Sequence, residues 1–278
     1  MKKEERILVA RRSPFQLILV TEDEAGLRTL RFGQDGVRQS VVKMGDPQHL
    51  ELSYVNVLTN CLAFVRSLSR ILIVGLGGGT LPGFFRSLFP DSEIDVVEID
   101  PDVLDVAKSY CGFSEDARMH VHVEDGRDFI ERWSNRYDMI ILDGFDAETI
   151  PRHLLTLEFL QGVRNALTAE GIAVANVWGR SCNRIYDHML LTYRHAFDEI
   201  YIFDVPEAGS KIFVALQGKQ TLSLPDVIKR AGDVSRRQGF REDISGCIAG
   251  FRNSDEETIR GGEVLRDRQP AVGARRRG

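Results

Sequence analysis

The stretch ILIVGLGGGTLPGFF, residues Ile71–Phe85, decides the fold. Aliphatic residues are followed by glycines and then by apolar residues again, which is typical of a buried strand, a tight turn and a helix. Gly75, Gly77 and Gly79 would permit a turn whose backbone N–H groups, with the N-terminus of the helix, face a ligand. The turn lacks the Gly-Lys-Ser/Thr of a P-loop, and Thr80 stands where a dinucleotide fingerprint needs glycine. The pattern therefore predicts a ligand site, but neither of these two nucleotide sites.

Strands and helices alternate from this stretch to about residue 217. The aliphatic segments EIDVVEID, MHVHVED, YDMIILDGF and GIAVANVW read as strands, with helical segments between them. Continuous aliphatic strands that alternate with helices predict a parallel sheet covered on both faces. The last two strands, EIYIFDV and SKIFVALQ, are close enough in sequence to form an antiparallel hairpin at the sheet edge.

The chain divides into three predicted zones. Residues 1–68 form a small antiparallel β element, with strands FQLILVTED, LRTLRFG and VRQSVVKM, and a connecting helix that starts near Asp46 and Pro47. Residues 69–218 form the ligand-binding α/β core. Residues 219–278 form an irregular extension with a disordered, arginine-containing tail.

The composition excludes several classes of protein. The formal charge of −5 argues against a general nucleic-acid binder, which normally carries a net basic surface. No apolar run is long enough to span a membrane, and the charged N-terminus does not resemble a secretory signal. The four scattered cysteines favour reduced thiols, so we expect a cytoplasmic protein without membrane or nucleic-acid partners.

Two carboxylates follow the strands after the glycine turn. Glu98 ends the strand in VVEIDP, nineteen residues after Gly79, and Asp125 follows the next strand in VEDGRDF. A carboxylate at the first position can accept both ribose hydroxyls, and one at the second can accept an adenine amino group. Either acid alone could be a solvent-exposed residue at the end of a strand, without a function. With the glycine turn, the two predict a nucleoside site.

The ordered motifs ILIVGLGGGT, VVEIDPDVLDVAK, VEDGRDFI and YDMIILDGFD resemble the spermidine synthase-like branch of the class I S-adenosylmethionine-dependent methyltransferase fold. The resemblance extends upstream through SPFQLILV and GVRQS and covers residues 13–217. It implies an α/β fold with a Rossmann-like seven-stranded sheet, a small N-terminal antiparallel β element, and commonly a homodimer.

The resemblance also implies roles for individual residues. Glu98 would hold the ribose, and Gln39 and Tyr54 would reach the active site from the N-terminal element. Asp143 matches the catalytic aspartate of the family, and Asp146 matches an acid that holds an amine. The residues DGFD are also typical of a simple turn, which is the alternative interpretation of both acids. The positions expected to hold the rest of the cofactor are Gly75, Gly77, Gly78 and Gly79 at its methionyl part, and Asp125 and Gly126 at the adenine.

Two departures from the family pattern bear on the cofactor. The family's turn reads Gly-Gly-Gly-Asp-Gly, but this chain has Gly78 in place of the aspartate that pairs with the ammonium of decarboxylated S-adenosylmethionine. The family's Tyr-His-Glu reads Tyr54, Val55 and Asn56 here. Losing both acids removes charge-assisted hydrogen bonds worth about 1.5–3 kcal/mol each. We therefore expect intact S-adenosylmethionine as cofactor and methyl transfer to an amine or similar nucleophile.

Other interpretations stay open at this point. Aminopropyl transfer from decarboxylated S-adenosylmethionine and a non-catalytic nucleoside-binding protein are the alternatives. His153, in IPRHLLTLEFL, is expected at the rim of the active site, where a histidine at a helix start is more often structural than catalytic. His120 and His122 alternate on a strand but have no third ligand at a telling spacing, so no metal is expected.

Overall fold

A computed structural model describes residues 5–33, 36–144, 151–241 and 243–267. The N-terminal element is an antiparallel sheet in the order β1-β2-β3-β4. Its strands are β1 (Glu5–Arg12), β2 (Leu17–Asp23), β3 (Leu27–Phe32) and β4 (Arg38–Lys43). Strand β1 adds to the three strands predicted from the sequence. It pairs with β2 along its length, so the charged residues of ERILVARR lie on an outer strand.

The central sheet has the order β12-β10-β11-β9-β8-β5-β6-β7 within the described residues. Its strands are β5 (Arg70–Val74), β6 (Glu93–Glu98), β7 (Met119–Val123), β8 (Tyr137–Leu142), β9 (Leu167–Trp178), β10 (Glu199–Asp204), β11 (Ser210–Leu216) and the two-residue β12 (Arg252–Asn253). Strands β5 to β9 pair in parallel, and β10 and β11 form the predicted antiparallel hairpin. The Rossmann-like α/β fold with a small N-terminal sheet is confirmed, and β12 extends the expected seven strands at one edge.

Helices cover both faces of this sheet. They are α1 (Ser53–Leu58), α2 (Thr80–Leu88), α3 (Pro101–Tyr110), α4 (Gly126–Ile130), α5 (Leu157–Ala166), α6 (Tyr186–Ala196) and α7 (Leu224–Gln238). Successive residues of β5 alternate between two cores because strand side chains point to opposite faces. Ile71 and Ile73 face a core shared with the N-terminal sheet, α2, α3 and α7, whereas Leu72 and Val74 face a core formed with α4, α5 and α6. None of these helices, in the described ranges, is both long and apolar enough to cross a membrane.

Two local predictions were wrong. The connecting helix begins at Ser53 and not near Asp46, whose carboxylate accepts hydrogen bonds from Arg241 at 2.6 and 2.8 Å. The segment after residue 218, expected to be irregular, contains the fifteen-residue helix α7. Ser223 and Asp226 cap its N-terminus reciprocally in a capping box, which satisfies backbone donors that a helix start leaves free. The tail predicted to be disordered, ARRRG at residues 274–278, lies outside the described ranges.

The order in which strands are added to the sheet reverses at β5. From β5 it proceeds to β6 and β7 on one side, and then returns to β8 and β9 on the other. In open α/β sheets ligands bind beyond the carboxyl ends of the strands at such a switch point. The glycine turn lies there, between β5 and α2.

Candidate functional site

A cavity of about 280 Å³ opens at this switch point, between the carboxyl ends of the central strands and the N-terminal sheet. The predicted site residues that line it are Gln39, Tyr54, Gly75, Gly77, Glu98, Asp125, Gly126, Asp143 and His153. Phe15, Gln16, Ser40 and Glu124 also line it, without having been singled out from the sequence. Asp146 lies outside the described residues.

The first glycines of the turn form part of the cavity wall. Gly75 has φ of +104°, and a Cβ built there would lie 2.5 Å from the backbone oxygen of Asp143. Only glycine fits this position, because both its conformation and the space around it exclude a side chain. Gly77, with φ of +54°, follows on the same wall.

Gly78 and Gly79 are not among the residues that line this cavity. A Cβ on Gly78 would lie 3.0 Å from Ser40 Oγ and 3.3 Å from a methyl group of Val42, so Gly78 faces β4. A Cβ on Gly79 would lie 2.7 Å from the Phe113 ring. The close approach of the N-terminal sheet thus gives Gly78 a packing reason to be glycine. The expected role of Gly78 as a hollow for the amino-acid end of the cofactor has no support in this geometry.

Glu98 is 8 % exposed at the end of β6. One carboxylate oxygen accepts the backbone N–H of Leu76 at 3.0 Å, and the other accepts that of Asp100 at 3.0 Å. Burial raises the pKa of Glu98, and the hydrogen bonds from the two backbone groups oppose that shift. The carboxylate is therefore fixed in orientation directly beneath the glycine turn.

Asp125 caps the short helix α4. Its Oδ1 accepts the backbone N–H of Arg127 at 2.7 Å, and its Oδ2 lies 2.8 Å from His153 Nε2. A Cβ on Gly126 would lie 2.7 Å from a methyl group of Val74, so the backbone packs closely against β5 here. His153 thus lines the cavity and contacts the carboxylate expected to meet the adenine.

Asp143 lies at the end of β8 and is held by two neutral donors. Tyr54 Oη donates to Oδ2 at 3.0 Å, and Asn176 Nδ2 donates to Oδ1 at 3.2 Å. The Tyr54 hydroxyl also lies 3.3 Å from the backbone oxygen of Gln39. Burial raises the pKa of Asp143 to about 6, although both hydrogen bonds lower it. A carboxylate with this pKa is ionised at neutral pH and can still accept a proton from a reacting group.

Asn176 is the contact that the sequence analysis missed. It is 7 % exposed on β9, and its Oδ1 has no hydrogen-bond partner among the described residues. The available signal was a lone amide in the otherwise apolar strand GIAVANVW, since a buried polar side chain normally has a partner.

The cavity carries a surplus of negative charge. Its described lining includes four carboxylates (Glu98, Glu124, Asp125 and Asp143) and neither lysine nor arginine. Glu124 pairs with Arg132 at 2.6 Å, and Asp125 pairs with His153. Glu98 and Asp143 receive their hydrogen bonds from neutral groups. Cationic ligands are therefore favoured at this site.

No arrangement of three or more His, Cys, Asp or Glu side chains suited to a metal ion occurs in the described parts of the chain. His122 of the predicted histidine pair instead lies 2.8 Å from the Asp95 carboxylate, which also accepts from Tyr137 at 2.8 Å.

Comparison with known proteins relates this fold and cavity to a family. Residues 51–223 match the model of the spermine/spermidine synthase domain. The chain is 37 % identical to a polyamine aminopropyltransferase of Vibrio vulnificus over 217 residues, which are 76 % of this chain and 72 % of the relative. It is 34 % identical to the human eEF1A lysine and N-terminal methyltransferase over 179 residues, 60 % of this chain but only 26 % of that protein.

One solved structure matches almost the whole fold. A probable spermidine synthase from Corynebacterium glutamicum superposes with a TM-score of 0.77 over 96 % of this chain and 98 % of the other, at 19 % identity. The resemblance stated from the motifs is confirmed by the domain match and by the Vibrio relative. The chain belongs to the spermine/spermidine synthase family, whose members are transferases.

Proposed function

We propose that this protein transfers an aminopropyl group from decarboxylated S-adenosylmethionine to a small amine. The observation that carries this proposal is the charge of the cavity, where Glu98 and Asp143 lack a basic partner and the described lining holds neither lysine nor arginine. Decarboxylated S-adenosylmethionine is a sulfonium with an ammonium group, and amine acceptors are cationic at neutral pH. The carboxylate of intact S-adenosylmethionine would find neither lysine nor arginine in the described lining and would lie near like charges. This proposal replaces the preference for methyl transfer drawn from Gly78.

The donor would lie along the glycine turn. Gly75 and Gly77 leave room for its chain beside the sulfonium, and Glu98 accepts from the ribose hydroxyls. Asp125 and Gly126 border the space for the adenine, and binding there would compete with His153 for the Asp125 carboxylate. This assignment of the donor site is supported by the fact that all these residues line one cavity.

Asp143 is the group that we assign to the acceptor. After the acceptor ammonium loses a proton, its neutral nitrogen attacks the carbon bonded to the sulfonium, so that an N–C bond forms, the C–S bond breaks and 5′-methylthioadenosine leaves. Asp143 accepts the proton that the nitrogen loses, while Tyr54 and Asn176 keep its two oxygens in place. Most of the acceleration comes from alignment, because the sulfonium is already activated. Gln39 would help to shape the amine subsite, and a role for Asp146 beside Asp143 remains a prediction.

Methyl transfer from intact S-adenosylmethionine is the second candidate. It is favoured by the absence of an acid at positions 78 and 56 and by the relatives that are methyltransferases. The chain spans about a quarter of the length of those relatives, so their acceptors do not transfer to it. A cytoplasmic location and a homodimer remain predictions, and light scattering of the purified protein tests the second.

Product analysis separates the candidates. The purified protein is incubated with either donor and a panel of amines that includes putrescine, and the nucleosides are identified by chromatography and mass spectrometry. Formation of 5′-methylthioadenosine supports aminopropyl transfer, whereas S-adenosylhomocysteine overturns it in favour of methyl transfer. Neither product, with calorimetric binding of a donor, would indicate a non-catalytic protein. Asp143→Asn is the control, since it should retain donor binding and lose turnover.

A further inference from the structure

The C-terminal segment from Glu257 to Asp267, here called the strap, crosses the outer face of α6 and then the start of α5. Its backbone is held by hydrogen bonds from Leu265 N to Thr192 Oγ1 at 2.9 Å and from Leu157 N to the Leu265 oxygen at 2.7 Å. Val264 and Leu265 pack against the core beneath α5 and α6. The strap lies beyond residues 51–223, the part that matches the family model. Its role therefore has to be argued from its own contacts, because the family domain does not include it.

At Asp267 the strap contacts helix α4, whose first residue, Gly126, lines the functional cavity. Both carboxylate oxygens of Asp267 accept from the Arg127 guanidinium, at 2.8 Å from Nη1 and 2.5 Å from Nη2. The backbone N–H of Asp267 donates to Glu158 at 2.9 Å. This two-point pairing fixes direction as well as distance, because the planar guanidinium matches the carboxylate. The Arg127 guanidinium lowers the pKa of Asp267, so the pair is charged at neutral pH.

Arg127 connects the strap to the two segments that form one wall of the cavity. Its backbone N–H donates to Asp125, and its Nη1 lies 3.4 Å from the backbone oxygen of His153. Helix α4 has five residues, too few to be stable by itself, so tertiary contacts must define where it begins. The buried apolar residues of α4 supply some of these contacts. The Arg127 side chain, which is 19 % exposed, supplies others.

We propose that the strap positions the nucleoside end of the donor site, with Asp267 and Arg127 as positioning residues that act through Asp125, Gly126 and His153. Neither Asp267 nor Arg127 lines the cavity, so both act without touching the donor. The inference rests on the proposed function in one respect, that the cavity binds an adenosyl ligand. It predicts that donor affinity in this protein depends on a segment outside the family domain.

The test compares Asp267→Asn with Arg266→Gln, a control one residue away that removes the Arg266 pair with Glu158 and leaves Arg127 untouched. Binding of 5′-methylthioadenosine and S-adenosylhomocysteine is measured by calorimetry, and donor KM and kcat with the active donor. We expect Asp267→Asn to weaken binding and raise the donor KM by about two- to fivefold, as for the loss of a partly exposed ion pair. The control should leave ligand affinity and donor KM unchanged. In both variants kcat at saturating donor should stay within about twofold of wild type. Asp267→Glu should recover part of the affinity.

Equal ligand affinity in Asp267→Asn and wild type would overturn the inference, as would an equal loss in both variants. If Asp267→Asn fails to fold, the longer Asp267→Glu decides, since unchanged binding by a folded Asp267→Glu together with unchanged donor KM contradicts precise positioning. If the wild-type protein binds neither nucleoside, the proposed function is refuted instead.

Discussion

Replacing Asn176 by alanine should move the acidic limb of the pH–rate profile to higher pH. Asn176 donates one of the two side-chain hydrogen bonds that stabilise ionised Asp143, whose pKa burial raises to about 6. A hydrogen bond to a charged group contributes about 1.5–3 kcal/mol, and one pKa unit corresponds to about 1.4 kcal/mol. The 3.2 Å separation is long for such a bond, so we take the lower end. The pKa of Asp143 in the variant should then be about 7.

The effect on rate follows from the ionised fraction of Asp143. At pH 6 that fraction falls from about one half to about one tenth, whereas at pH 8 it falls only from about 99 % to about 90 %. The variant should thus be about fivefold slower at pH 6 and nearly equal to wild type at pH 8. Titration of the amine acceptor is common to both proteins, so the ratio of their kcat/KM values isolates Asp143.

The assay measures kcat/KM for the acceptor from pH 5 to 9 at saturating donor, by quantifying the released nucleoside. Asn60→Ala is a matched control, because Asn60 is a fully buried asparagine that bonds to the Val57 backbone away from the cavity. It should give the wild-type profile. A loss of rate in Asn176→Ala that is the same at pH 6 and pH 8 would refute the assignment of the acidic limb to Asp143.

Three further substitutions test the site through stability. Because burial raises the folded pKa of Asp143 to about 6, ionising this side chain opposes folding at high pH, and the cost vanishes below its ordinary pKa of 3.8. Asp143→Asn should therefore raise the free energy of unfolding by about 1–3 kcal/mol at pH 8 and leave it unchanged at about pH 3, measured by urea denaturation. Gly75→Ala should cost more than about 3 kcal/mol, seen as a lower thermal midpoint or loss of folded protein, because its Cβ would collide with backbone. A thermal midpoint like that of wild type would contradict the close contact. Gly78→Ala should cost about 1–2 kcal/mol, partly relieved in the double variant with Ser40→Gly, and additive effects in that cycle would count against packing on β4.

Much of the fold could be predicted because its signals are local. The aliphatic run of β5 and the glycine turn mark a strand and a helix start, and the hairpin of β10 and β11 follows from two apolar segments with a short connection. Glu98 and Asp125 were predicted to meet because parallel strands end at one edge of a sheet, and the family resemblance implied Asp143 beside them. The structure brings all three to one cavity.

What could not be predicted depends on packing between distant segments. The direction that Gly78 faces is decided by β4, about forty residues earlier, and no local pattern reports it. The contact of Asn176 with Asp143 requires the register between β8 and β9. The pair of His153 with Asp125 depends likewise on a contact between separate segments.

The boundaries of the family match have a practical consequence for truncation. A fragment cut to residues 51–223 would keep every carboxylate of the cavity and the tyrosine that contacts Asp143. It would lose the backbone oxygen of Gln39 beneath that tyrosine, the β4 surface that covers the glycine turn, and Asp267. Such a fragment would keep the reactive side chains but lose the contacts that support the cavity on two sides. An inactive fragment would therefore not be evidence against catalysis by the intact chain.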